Sequence, residues 1–246
     1  MSDVLRVEGL CKKYPSFELR DVSFTVPQGA IMGFIGRNGA GKSTTLKSIL
    51  GMVHPDGGRV FFQNRDVAAD ERYMKENTGV VLGGIDFYPK KKLCTITDVT
   101  RRFYPAWDEA KYDHYCKLFS LDGEKRVDQL SSGMRVKYLI ALALSHGATL
   151  LILDEPTSGL DPVSRDELTG LFRSIVADGT RSILFSTHIT SDLEKCASHI
   201  TFIKDGQILH TGTVDSFRRA FTRHGSTLEE IIVSVERREY DESAIV

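Results

Sequence analysis

Short apolar runs broken by glycine and proline punctuate most of this chain, and their rhythm separates strands from helices. Val22, Phe24 and Val26 alternate with Ser23 and Thr25, the period of two expected of a half-buried strand, and Val4-Leu5-Arg6-Val7 predicts another short strand. After the turn Pro27-Gln28-Gly29, the run Ala30-Ile31-Met32-Gly33-Phe34-Ile35 predicts a buried strand, and Leu46-Lys47-Ser48-Ile49-Leu50 a helix behind it. Asp56-Gly57-Gly58 turns the chain into the strand Arg59-Val60-Phe61-Phe62; the polar stretch 66–75 predicts a helix, and Thr78-Gly79-Val80-Val81-Leu82 a strand. Val136, Leu139, Ile140, Ala143 and Leu144 recur at helical spacing, so an amphipathic helix starts near Ser131 and Gly133. Leu150-Leu151-Ile152-Leu153 and Arg181-Ser182-Ile183-Leu184-Phe185-Ser186 predict further strands, and residues 201–209 a hairpin turning at Asp205-Gly206.

Between 86 and 127 the texture changes. Phe87, Tyr88, Phe103, Tyr104, Trp107, Tyr112, Tyr115 and Phe119 are interleaved with charges, which predicts a mostly helical insertion with Asp108 capping a helix toward Leu118. Its aromatics form either a small core of their own or a contact for a partner helix. Thr227-x-x-Glu230 reads as a capping box for a last short helix, and the charged tail 236–242 as loosely attached.

Length allows one large α/β domain with a subdomain, since the chain has 246 residues. A formal charge of -1 gives no bulk reason to expect a nucleic acid partner, and Lys90-Lys91-Lys92 reads as a solvated loop. The longest apolar runs fall well short of the roughly 18 residues that span a bilayer, and Met1-Ser2-Asp3 opens no basic-then-apolar leader, so a cytosolic location is expected. Cys11, Cys94, Cys116 and Cys196 form no C-x-x-C pair and read as reduced structural thiols.

Candidate chemistry starts in the loop Gly36-Arg37-Asn38-Gly39-Ala40-Gly41-Lys42-Ser43-Thr44, which joins the buried strand to the helix behind it. G-x-x-x-x-G-K-[ST] in that context is a phosphate site: glycines at 36, 39 and 41 bring backbone amides close to an anion at the positive end of a helix. Lys42 is placed to reach β- and γ-phosphates, Ser43 to ligate Mg²⁺, and Thr44 to add a donor on the α-phosphate side. Kinases, GTPases and motor ATPases share this loop.

Other residues fit around it. Asp154, closing the strand 150–153, is placed to hold Mg²⁺, and Glu155 to polarise a water for attack on the γ-phosphate. His188 follows the strand 181–186 and is either a surface residue or within reach of a terminal phosphate. Tyr14 either stacks on a purine or packs beside Pro15. Ser131 and Gly133 form a helix cap that is also a possible second anion site.

In kind and order these pieces resemble the nucleotide-binding subunit of an ATP-binding-cassette (ABC) transporter, from about residue 4 to 210. Residues 36–44 match the Walker A loop, 150–155 Walker B with its catalytic glutamate, Ser158-Gly159-Leu160-Asp161 the D-loop, and His188 the switch histidine. Tyr14 falls at the adenine-stacking aromatic, and Leu130-Ser131-Ser132-Gly133-Met134 at the signature, usually L-S-G-G-Q. The resemblance implies an α/β fold: a P-loop NTPase core of mixed sheet flanked by helices, an antiparallel β subdomain and a helical signature subdomain. It places an ATPase domain at 1–210, with the helical subdomain at about 86–145, and a short C-terminal helical extension and tail at 211–246. ATP and Mg²⁺ are the implied cofactors. Two cassettes, identical or paralogous, sandwich each ATP between the Walker A loop of one and Ser131, Ser132 and Gly133 of the other, with Asp161 relaying across the interface. A separate integral membrane permease is the implied partner, docked on the 86–127 insertion, which puts the subunit on the cytoplasmic face of the cell membrane. By analogy the type is a bacterial exporter.

Two motifs depart from the family pattern. Ser132 and Met134 replace a glycine and a glutamine of the signature, which keeps the backbone nest but drops a polar contact. The Q-loop glutamine expected after Leu82 is Gly83, with Asp86 a candidate substitute. A soluble ABC ATPase, a phosphate-loop kinase or GTPase, and a cassette that binds ATP only as a regulator are the alternatives; intact Glu155 and His188 stand against the last.

Overall fold

A computed structural model describes residues 2–82, 88–225 and 227–236. Gly83 and Asp86, the two positions tied to the missing glutamine, lie outside them.

Two sheets carry the fold. The first is antiparallel, ordered β2-β1-β4-β5 from β1 (Asp3–Tyr14), β2 (Phe17–Pro27), β4 (Gly57–Phe62) and β5 (Arg65–Asp66). The second is ordered β10-β9-β3-β8-β7-β6 from β3 (Ile31–Ile35), β6 (Thr78–Val81), β7 (Leu150–Asp154), β8 (Ser182–Thr187), β9 (His199–Lys204) and β10 (Gln207–Thr213). Its strands run parallel except β10, which returns antiparallel on β9 through the turn at Asp205 and Gly206, φ 46° and 77°. All five residues of β3 and of β7, and all six of β8, are buried, as their largely apolar runs suit strands covered on both faces.

Helices cover the large sheet: α1 (Lys42–Ile49), α2 (Glu71–Asn77), α5 (Ser132–Ser145), α6 (Pro162–Val176), α7 (Thr190–Cys196), α8 (Val214–Ala220) and α9 (Leu228–Glu236). The aromatic insertion supplies α3 (Leu93–Thr100) and α4 (Glu109–Leu118), and the Asp108 side chain caps α4 by accepting from Lys111 N at 3.0 Å. These two helices join the main core through Leu93, Ile96, Tyr112 and Phe119, and buried hydroxyls lock them to α5: Thr97 Oγ1 lies 2.8 Å from Tyr112 Oη and 3.0 Å from Tyr138 Oη.

Several boundaries differ from the sequence pattern. β1 runs through Tyr14 rather than stopping at Val7, because Leu10 continues the inward face across shifts in strand register. Asp66 ends a β-strand, and the helix of that polar stretch starts only at Glu71, where Asp70 Oδ1 accepts from Tyr73 N at 3.2 Å. Glu236 belongs not to a loose tail but to the end of α9, 9% exposed; residues 237–242 lie outside the described range. Thr227 and Glu230 make the expected capping box, each backbone amide donating to the other's side chain. Among the described residues no helix is long and apolar enough to cross a membrane.

Candidate functional site

In a parallel sheet the carboxyl ends of the strands share one edge, and side chains placed there by separate segments converge. β3, β7 and β8 are neighbours, so the loop at 36–41, the pair Asp154-Glu155 and the pair Thr187-His188 meet at that edge.

The loop is shaped by close packing. A Cβ at Gly36 would sit 2.3 Å from Ile203 O, and Gly41 takes φ 114° where a Cβ would strike Leu19 and Phe17, so glycine alone fits both positions. Gly41 is the residue before α1, and Ala40 N donates to Arg37 O at 3.1 Å. Lys42 is 5% exposed; its ammonium donates to the carbonyls of Gly36 at 2.7 Å and Arg37 at 3.2 Å, and lies 3.4 Å from Glu155 Oε1.

Glu155 leaves β7 with φ 50°, in the left-handed region. Its amide is held by Ser186 Oγ at 2.9 Å and Ser186 O at 3.2 Å, while the Ser186 hydroxyl donates to Asp154 Oδ1. Asp154 is 8% exposed. Glu155 Oε2 lies 2.8 Å from His188 Nδ1. One carboxylate thereby joins the phosphate-loop lysine to the histidine of the next strand.

Of these groups Lys42 and Glu155 border a cavity of about 500 Å³, walled also by Ser16, Phe17, Arg37, Asn38, Gly39, Gly41, Ser43 and Thr44, while Asp154 and His188 stand outside the wall. Tyr14 is not part of that wall. It pairs in strand register with Phe17 across the β1–β2 hairpin, 38% exposed, with Lys12 Nζ 5.8 Å from its ring centroid.

Ser131, Ser132 and Gly133 lie elsewhere. Ser131 caps α5 by accepting from Met134 N at 3.2 Å, Ser131 and Ser132 are exposed, and Gly133 sits beside Leu160 and Ser164. Asp161 turns its carboxylate onto its own helix, accepting from Val163 N at 3.0 Å, Ser164 N at 3.1 Å and Ser164 Oγ at 2.6 Å; the Ser164 bonds chiefly hold its pKa below the usual carboxylate range.

The sequence reading passed over three residues. Ser186 holds the Asp154 carboxylate and the Glu155 backbone amide, Phe17 walls the cavity, and Asp192, wholly buried on α7, accepts from Thr157 Oγ1 at 2.6 Å and ties the segment after Glu155 to the helix after His188. Burial raises the Asp192 pKa. All three depend on tertiary contacts, Ser186 through the register that sets β8 beside β7.

Known proteins resemble this chain in sequence and fold. A family model described as ABC transporter matches residues 19–158. The bacitracin transport ATP-binding protein BcrA of Bacillus licheniformis is 31% identical over 89% of this chain and 72% of its own. YtrB, an ABC transporter ATP-binding protein of Bacillus subtilis, is 29% identical over 83% and 70%. The Nod factor export ATP-binding protein I of Burkholderia lata is 32% identical over 78% of this chain and 64% of its own. A solved structure of the ATP-binding subunit of an ABC transporter superposes with a TM-score of 0.84 at 29% identity, covering 95% of this chain and all of the other.

Proposed function

Because the chain belongs to the ABC transporter family, as an ATP-binding subunit and ATPase, we propose that Lys42, Glu155 and His188 hydrolyse ATP held by residues 36–44 and by the capped end of α5 in a second cassette. The observation carrying this reading is the split between the two anion sites. Lys42, Ser43 and Thr44 wall one cavity together with Glu155, whereas the exposed Ser131–Ser132 end of α5 contributes nothing to that wall. A second copy or a paralogue supplies it, so each triphosphate is gripped from both sides. Leu160 and Ser164 border the same end, and with Asp161 and the 68% exposed Val163 next to them in the chain they form part of the joint.

In hydrolysis the water oxygen bonds to the γ-phosphorus as the bond to the β-bridging oxygen breaks, and ADP leaves with the electron pair. Glu155 orients the water and takes its proton; Lys42 and His188 balance charge on the phosphoryl oxygens. The amides of Gly36, Arg37, Asn38, Gly39 and Gly41 cradle the phosphates, and Phe17 in the wall flanks the base, with Tyr14 its register partner outside the wall. Mg²⁺ fits the donors present: the Ser43 hydroxyl and Asp154 carboxylate are hard oxygen ligands, and too few to enclose an ion without phosphate oxygens and water. When bound, it offsets the charge of the β- and γ-phosphates.

The permease partner docks on the face bearing Met52, 59% exposed, and Phe103, 70% exposed, beside a groove walled by Leu50, Met74, Lys75 and Tyr104. Exposed apolar area of this kind next to charged residues is the mark of a partner surface. It would place the subunit on the cytoplasmic side of the membrane. The name of one relative, Nod factor export, supports an exporter, and that of another, bacitracin transport, supports a transporter.

The test is sedimentation of the Glu155→Gln protein with and without ATP. ATP-dependent dimers lost on Gly133→Ala are expected; a monomer at saturating ATP would reject the sandwich.

A further inference from the structure

The last helix is tied to the wall of the nucleotide cavity. α9 buries Leu228 and Ile231 in the main core and ends at Val235 and Glu236, whose carbonyls, like the last ones of any helix, lack partners within the helix. Two cations supply them. Lys204 Nζ donates to Val235 O at 2.7 Å, and Arg37 Nη1 donates to Glu236 O at 3.3 Å, both at the negative end of the helix dipole.

Each cation also belongs to the phosphate-loop assembly. Arg37 is a residue of the loop, walls the cavity, and offers its own carbonyl to Lys42. Lys204 closes β9 two residues before Gly206, whose amide donates to Ala40 O at 3.0 Å. The two ties therefore reach different parts of one loop, through the Arg37 side chain and through the backbone of Ala40. The Glu236 carboxyl lies buried against this pair, and burial raises its pKa.

We propose that α9 braces the phosphate loop and that Arg37 is the positioning residue through which docking of this helix and binding of a nucleoside triphosphate strengthen each other. The proposal rests on the nucleotide reading above. Phosphates that order amides 36–44 also fix the backbone from which Arg37 reaches α9, so less side-chain freedom remains to be lost on docking. By linkage the helix returns the same factor to nucleotide affinity.

Hydrogen exchange on the full-length Glu155→Gln protein, with and without Mg-ATP, tests it through two peptides. Slower exchange in 36–44 reports nucleotide in the loop; slower exchange in 228–236 reports the brace. Saturating ATP is expected to slow both in the parent, whereas Arg37→Ala loses the 228–236 response and weakens ATP binding about fivefold, the lower end of site-to-site couplings. Arg37→Lys restores part of the response, and Lys204→Met, outside the loop, reduces it. Unchanged or faster exchange in 228–236 while 36–44 is protected overturns the brace alone, as does a full response in Arg37→Ala. No protection in 36–44 overturns the nucleotide reading itself.

Discussion

His188 Nδ1 lies 2.8 Å from Glu155 Oε2, bridging the ends of two adjacent parallel strands. The other oxygen of that carboxylate faces Lys42 at 3.4 Å, so a single acid sits between an imidazole and an ammonium. For catalysis it has to exchange the ammonium for a water while Lys42 turns to phosphate.

Glu155→Gln keeps the shape and removes the base. Phosphate release is expected to fall at least about 10²-fold, with ATP affinity retained or improved as the negative charge beside the phosphates is lost. Single-turnover hydrolysis and fluorescent-nucleotide titration measure the two, and near-parental turnover would remove Glu155 from the mechanism.

Gly36→Ala tests the cradle. The new methyl would sit 2.3 Å from Ile203 O, a backbone atom of a central strand that cannot swing aside. We expect a stability loss of about 1–3 kcal/mol, the usual cost of overpacking, in denaturant titrations. Nucleotide affinity should fall further than that of Gly133→Ala, whose nearest neighbour would be at 3.7 Å.

At the start of α5, two changes separate folding from function. Ser131→Ala removes the acceptor for Met134 N and is expected to cost about 1 kcal/mol of stability, whereas Gly133→Ala has room for its methyl and costs little. Both should depress ATPase activity, since the sandwich needs this end of the helix for the partner's γ-phosphate. Melting curves beside phosphate-release rates decide it: activity that tracks stability alone would make this serine only a cap.

His146 predicts a pH dependence. It is 4% exposed, stacks on Tyr104 with ring centroids 3.8 Å apart, and burial drives its pKa down to about 4. In the unfolded chain the imidazole gains a proton near pH 6.5, while the folded protein resists until about 4. Between those values the unfolded state holds more protons, so stability falls as pH drops, by roughly 3 kcal/mol over the window. Urea midpoints of the parent and of His146→Leu, compared at pH 7 and 4.5, should diverge; parallel changes would refute the assignment.

How much of this was legible depended on distance along the chain. Residues 36–44 are contiguous, and their glycines, lysine and serine lie between an apolar run and a helix, so the phosphate loop could be read directly. Asp154 was visible because it closes an unbroken apolar run, and His188 because it follows a strand with the apolar middle Ile183-Leu184-Phe185. Ser186 became visible only once register paired it with Asp154, a fact of β7 and β8 together. β1 was read short because polar Glu8, Lys12 and Lys13 interrupt the alternation along an antiparallel strand with irregular register. The charges after Val235 hid the buried end of α9, whose partners Arg37 and Lys204 lie 199 and 31 residues back respectively.

The left-handed backbone at Glu155, φ 50°, costs a non-glycine residue on the order of 1 kcal/mol or more. Glycine there would relax the corner between β7 and the loop that follows, yielding a sturdier protein with no group to deprotonate water. Heat resistance and turnover therefore pull opposite ways at this position, and a library sorted by thermal survival alone would be enriched in motors that no longer run.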